Sequence, residues 1–237
     1  MNQKEEILGK RVKTGISGLD ELLEGGLIPN STVLLKGECG TGKTIFGLQF
    51  LEYGALHGEH GIFLSIEENK KDIIRESAKF GWDLEALEKQ GKLAIIERQT
   101  QYSLTIGELE RTARQLKAKR AVIDSIPALF SSYPNELRLS ETRSAFHVLC
   151  QLLTGSCDCT AILITETPWS KNAPYEEYVP KGVFELHLNM IEGVARKFLL
   201  VKKMREVRHS RRMHLYEITD KGFTIFMPRE LQKGEHS

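Results

Sequence analysis

Apolar residues in this chain fall in short runs separated by longer amphipathic stretches. Thr32 to Leu35 reads as a buried strand and Thr44 to about His57 as a helix. Gly61 to Ile66 is a second strand, and a helical stretch from Asn69 to Phe80 follows it. Leu93 to Ile96 and Ala121 to Ile123 are further apolar strands, with a helical Ile106 to Ala118 between them. A helix near Leu139 to Leu153 then leads into the strand Ala161 to Thr165. Strand and helix alternating in this way predict an α/β fold, a mainly parallel sheet with helices on both faces. After Glu166 the texture changes. Pro168, Pro174 and Pro180 punctuate a loop. Strands are then expected at Val183 to Leu188, Lys197 to Met204, Arg212 to Ile218 and Phe223 to Phe226, as an antiparallel C-terminal extension of the same sheet.

Composition narrows the field. The 237 residues suffice for one large core, with 41% hydrophobic and 27% charged residues, an ordinary soluble balance. The expected division is an N-terminal tail over 1–13, a domain over 14–228 and a C-terminal tail over 229–237. Net charge is +1, so no global field draws the protein to nucleic acid or a membrane. No apolar run approaches the roughly 20 residues a bilayer span requires, and Met1 to Lys10 is polar. A cytoplasmic location is the expectation. Cys39, Cys150, Cys157 and Cys159 lack the partner spacing of a zinc set and read as reduced thiols.

The chemistry concentrates at Gly37-Glu38-Cys39-Gly40-Thr41-Gly42-Lys43-Thr44, which fits G-x-x-x-x-G-K-[ST] between a strand and a helix. Glycines let successive backbone N–H groups converge on phosphate oxygens, and the following helix aims its positive dipole end at the same anion. Gly40, Thr41, Gly42, Lys43, Thr44 and Ile45 are the expected cradle for ATP. Lys43 would reach the β- and γ-phosphates, and the Thr44 hydroxyl would meet Mg²⁺. Asp124 closes the strand Ala121-Val122-Ile123, where a metal-holding carboxylate belongs. Glu67 and Glu68 follow the strand Gly61 to Ile66. Either would polarise an attacking water beside the metal, or both simply open the next helix; composition leaves these readings even.

These residues carry a resemblance. Thr14-Gly15-Ile16-Ser17-Gly18-Leu19-Asp20 and Gly25-Gly26-Leu27-Ile28-Pro29 resemble the lead-in of RecA, RadA and KaiC nucleotide-binding domains. Ser65-Ile66-Glu67-Glu68, Asp72-Ile73-Ile74 and Phe80-Gly81-Trp82-Asp83-Leu84 resemble KaiC more specifically. Lys203-Met204-Arg205, His209 and Ile218-Thr219-Asp220-Lys221-Gly222 resemble that domain's closing segment. The similarity runs from about Thr14 to Pro228.

The resemblance implies a RecA-like core, a ring of usually six subunits, and ATP held between neighbours. It makes Glu67 the catalytic glutamate, also near the metal, and Glu68 its partner. Lys203, Met204, Arg205 and His209, with Thr219 and Asp220, would approach the nucleotide from the neighbouring subunit. Glu206 departs from the family's glycine and Val207 from its hydroxyl residue, which puts the local turn in question.

The expected function is ATP hydrolysis at ring interfaces, driving or timing contact with a protein partner. A RadA-like DNA recombinase is the alternative, resting on the basic stretch from Arg196 to Arg212. The few residues before the core and the lack of a Phe-x-x-Ala motif speak against it. Autokinase activity is disfavoured because the KaiC acceptor pair falls on Glu176 and Glu177, which carry no hydroxyl. Trp169 and Tyr175 read as loop anchors and Tyr216 as a core aromatic near the adenine edge.

Overall fold

The computed structural model describes residues 9–133, 139–166 and 175–227. Pro168, Trp169, Pro174 and Pro228 lie outside the described residues, as does the side chain of Tyr175. In chain order the elements are α1 (Leu19–Leu22), β1 (Thr32–Gly37), α2 (Lys43–Leu56), β2 (Gly61–Ser65), α3 (Lys70–Ala78), α4 (Leu84–Lys89) and β3 (Leu93–Glu97). Then come α5 (Tyr102–Leu116), β4 (Arg120–Asp124), α6 (Ile126–Ser131), α7 (Leu139–Gln151) and β5 (Thr160–Glu166). The chain closes with β6 (Gly182–Ile191), β7 (Val194–Met204), β8 (Met213–Thr219) and β9 (Gly222–Ile225).

All nine strands form one sheet in the order β3-β2-β4-β5-β1-β6-β7-β8-β9. The first six in that order run parallel, and β7, β8 and β9 continue antiparallel. The expected α/β architecture with an antiparallel C-terminal extension is therefore present. Strand β1 is buried along its whole length, as its apolar run requires. Alternate residues feed two cores: Val33 and Leu35 pack on the α2 face, Leu34 on the face covered by α5 and α7. Three short helices escaped the sequence reading. α1, α4 and α6 span four to six residues, too few for a helical period to show.

Helix α2 decides where the phosphate loop sits. It is buried on almost every side, between the sheet and the β8–β9 hairpin, and it approaches closely: a methyl on Gly47 would lie 2.8 Å from Val122 Cγ1. Gln49, buried in that helix, accepts from the Phe223 N–H (2.6 Å) and donates to the carbonyls of Gly15 (3.0 Å) and Phe223 (3.3 Å). One amide thus joins the Thr14–Asp20 lead-in, the helix and the C-terminal hairpin. In the lead-in, Asp20 accepts from both the backbone N–H and the hydroxyl of Thr14, at 2.9 and 2.8 Å.

Candidate nucleotide site

Strands β1, β2 and β4 end at the same edge of the sheet, with Ser65 opposite Asp124 in register. The loop from Gly37 therefore opens beside the carboxylates that follow β2 and β4, at the carboxyl edge where parallel sheets bind ligands. Gly42 caps α2 with φ 91°, in the left-handed region where only glycine is unstrained, and a methyl there would come within 2.2 Å of Ile218 Cδ1. The Thr41 hydroxyl donates to the Glu38 carbonyl at 2.7 Å. Lys43 Nζ donates to the carbonyls of Gly37 and Glu38, both at 3.0 Å, and so folds back over the loop it serves. Ile45 is half-buried against the α2-side core.

Thr44 Oγ1 donates to Asp124 Oδ2 at 2.7 Å, bridging from the start of α2 to the end of β4. With Ser65, Glu67, Glu68 and Phe63 these two residues line a narrow cavity of about 20 Å³. Burial pushes the Asp124 carboxyl up to about 6, against the Thr44 hydrogen bond and Lys43, while Glu68 and Glu67 add to the rise. The Glu68 carboxyl is also raised, first by burial and then by Glu76, Asp72 and Glu67. Its carbonyl accepts from Ser65 Oγ at 2.6 Å, and Glu67 lies exposed at the mouth. Asn69 caps α3 by accepting from the Asp72 N–H at 3.0 Å. Both glutamates thus precede the helix, in a loop that lines the same cavity as Asp124.

Divalent-ion chemistry suits this corner. Thr44 and Asp124 offer oxygen donors already in contact, as Mg²⁺ prefers when substrate phosphates and water complete its shell. Among the described residues no group of three or more His, Cys, Asp or Glu is arranged to hold a metal by itself.

The residues expected to meet a neighbour's nucleotide fall into two groups. Lys203 pairs with Val183, and Val183 with Leu34; the Arg205 N–H donates to Lys181 and the Lys181 N–H to Thr32, each at 2.9 Å. Arg205 therefore sits by the start of β1, roughly 17 Å along the strand from Gly37. Lys203, Arg205, His209 and Arg211 line a cavity of about 520 Å³ whose lining holds no carboxylate. Met204 points the other way, 4% exposed within the core, and spaces the two cations onto one open face.

Thr219 and Asp220 are not with that group. They form the β8–β9 turn, at the opposite end of the sheet and on the side of the chain's own phosphate loop. There the Tyr216 hydroxyl donates to the Thr41 carbonyl at 2.7 Å, and Ile218 reaches Gly42. Tyr216 is 1% exposed and stacks on Phe223 at 4.1 Å, so it is a core aromatic that also braces the loop. Sequence reasoning missed that brace, since nothing local ties residue 216 to residue 41.

Two departures from the family pattern are resolved by geometry. Glu206 takes φ 63°, the conformation a glycine would supply, so the turn is kept, and its carboxylate pairs with Lys181 at 2.9 Å. Val207 is buried in the core. Glu177, at the expected acceptor position, is paired with Lys36 and Lys202, and Glu176 is buried. Lys202 within the basic stretch is thereby neutralised. The four cysteines are free thiols, and burial pushes Cys150 and Cys159 up to about 12. No helix among the described residues is long and apolar enough to cross a membrane.

A phosphate loop after the first central strand, a carboxylate closing β4, and an antiparallel extension define a RecA-type P-loop nucleotide-binding protein. Within that class the model of the KaiC ATPase family matches residues 12–230, and the chain belongs to that family. A solved KaiC-like protein, PH0186 from Pyrococcus horikoshii, superposes with a TM-score of 0.84 at 38% identity, covering 92% of this chain and 99% of that one. Among curated relatives, a UPF0273 protein of Thermotoga maritima is 36% identical over 95% of this chain and 99% of its own length. The UPF0273 protein PH0284 of Pyrococcus horikoshii is 35% identical over 95% and 98%.

Proposed function

We propose that residues 14–228 form one ATPase domain that binds Mg²⁺–ATP on Gly40 to Ile45 and hydrolyses it where a second copy of the chain closes the site. The observation that carries this reading is the separation of charges. The phosphate loop, Asp124 and Glu67 lie at one edge of the sheet, while Lys203 and Arg205 lie at the other. A subunit cannot bring its own Arg205 to its own γ-phosphate, but a neighbour stacked head to tail can. Repeated head to tail with a rotation that closes, that contact makes a ring, with six members expected from the family.

Each residue then has a part. The backbone of Gly40 to Thr44 and the Lys43 ammonium take the β- and γ-phosphates, and Thr44 with Asp124 holds the metal. The ion supplies charge neutralisation across the phosphates. Glu67, exposed at the cavity mouth, orients water and takes its proton; Glu68 lines the same cavity, and its main-chain carbonyl, bonded by Ser65 Oγ, holds the loop there. Lys203 and Arg205 of the neighbouring copy stabilise charge on the γ-phosphate, a role worth about 10³–10⁵ in rate for an arginine finger. His209 lines the same cationic face. Thr219 and Asp220 flank the nucleotide of their own subunit, beside Gly42, rather than that of the neighbour.

Assembly-coupled turnover fits a nucleotide-driven switch for a protein partner in the cytoplasm. A recombinase role draws no added support, because part of the basic stretch is paired internally or faces the cationic cavity. The test is specific activity against protein concentration, with mass measured in parallel by light scattering. Turnover should rise as subunits associate, and a monomer with full turnover would overturn the reading.

A further inference from the structure

Lys36 is a lysine inside an apolar strand, between Leu35 and Gly37, and it is only 7% exposed. An ammonium taken from water there requires a counter-charge. Glu177 supplies it, and also takes Lys202 at 2.9 Å, which in turn reaches Glu185 at 2.9 Å. Burial pushes the Glu177 carboxyl up, but the hydrogen bonds from Lys36 and Lys202 outweigh it and hold the group below its ordinary range. The turn at Tyr175–Glu177 is thereby fastened to β1 and β7.

The main chain of the same turn receives the two exported cations. Lys203 Nζ donates to the Glu177 carbonyl, and Arg205 Nη2 to the Tyr178 carbonyl at 2.9 Å. Two flexible side chains are thus held on one face by carbonyls of the turn that Glu177 fastens, to β1 through Lys36 and to β7 through Lys202. Of these two pairs, the one with Lys36 stands on β1, the strand that runs directly into this chain's own phosphate loop.

We propose that Glu177 is a positioning residue: its pair with Lys36 sets the carbonyls that aim Lys203 and Arg205 at a neighbouring copy's nucleotide, and ties that aim to the strand of this chain's own ATP site. The inference rests on the trans-acting role given to those cations above. It makes adjacent sites of a ring mechanically linked through β1.

Glu177→Gln keeps the shape of the side chain and removes its charge. In the assembled protein kcat should fall at least about tenfold, the scale expected when reacting groups are slightly misplaced. ATP affinity should stay within about twofold, since Gly40 to Ile45 is untouched. The double variant Lys36→Met/Glu177→Gln removes the buried unpaired ammonium and serves where the single variant folds poorly. It should recover parental stability while kcat stays low; recovery of both would mean a purely structural role and overturn the proposal.

Mixed assemblies locate the defect. Glu177→Gln with Glu67→Gln should regain activity, because one subunit keeps its carboxylate and the other its aimed cations. Glu177→Gln with Arg205→Ala should not, both being faulty on the same side. If Glu67→Gln with Arg205→Ala regains activity but Glu177→Gln with Glu67→Gln does not, the positioning role fails while the trans reading stands. If neither pair regains activity, the trans reading fails and this inference with it. A Glu177→Gln kcat within twofold of the parent also overturns it.

Discussion

Asp124→Asn should stabilise the nucleotide-free protein while disabling it. Asp124 lies under the sheet edge, and burial raises its carboxyl from 3.8 to about 6, with Glu68 and Glu67 adding repulsion. A carboxyl raised in the folded state favours folding most below its unfolded value, and that contribution is lost as pH rises through the folded value. At about pH 7.5 the shift of roughly two units corresponds to about 3 kcal/mol of folding free energy forgone. Asparagine escapes this cost and can still accept from Thr44 Oγ1. For a chain of this size about 3 kcal/mol is roughly 6–12 °C in Tm. The gain should shrink to about half near pH 5, where the native carboxyl is already largely protonated. The assay is thermal or urea unfolding of parent and variant at both pH values without nucleotide. A variant no more stable at about pH 7.5, or a gain that grows toward pH 5, would refute the burial argument. With Mg²⁺–ATP present the order should reverse, because the variant loses the metal-holding carboxylate.

Other substitutions probe separate links. Lys43→Ala removes a charge-assisted contact worth roughly 1.5–3 kcal/mol, so calorimetry should show ATP affinity lower by about tenfold or more with the apo fold intact. Glu67→Gln should bind ATP normally while turnover falls at least about 100-fold; the same loss from Glu68→Gln alone would reverse the two roles. Tyr216→Phe leaves the buried Thr41 carbonyl without its donor, so denaturation should show about 1–3 kcal/mol lost and ATP should bind more weakly; unchanged affinity would remove the brace.

The parallel core was legible because β1, β2, β4 and β5 are each built on a short apolar run, and the phosphate loop because its spelling follows from backbone sterics. What stayed hidden was long-range. Thr219 and Asp220 read as partners of Lys203 and Arg205, yet an antiparallel return carries them to the other end of the sheet. Glu206 looked like a lost turn, yet the backbone keeps the left-handed φ of 63°. Lys36 was the one local hint of the Glu177 network: a lysine inside a buried strand implies a partner, though sequence does not say which.

The central claim is that one subunit's Arg205 completes another subunit's site. Mixing Glu67→Gln subunits with Arg205→Ala subunits, after full exchange, tests it most directly. Each variant alone should be nearly inactive. The mixture should recover activity, because some interfaces pair an intact glutamate with an intact arginine. Fully exchanged assemblies that stay as inactive as their parents would contradict the account.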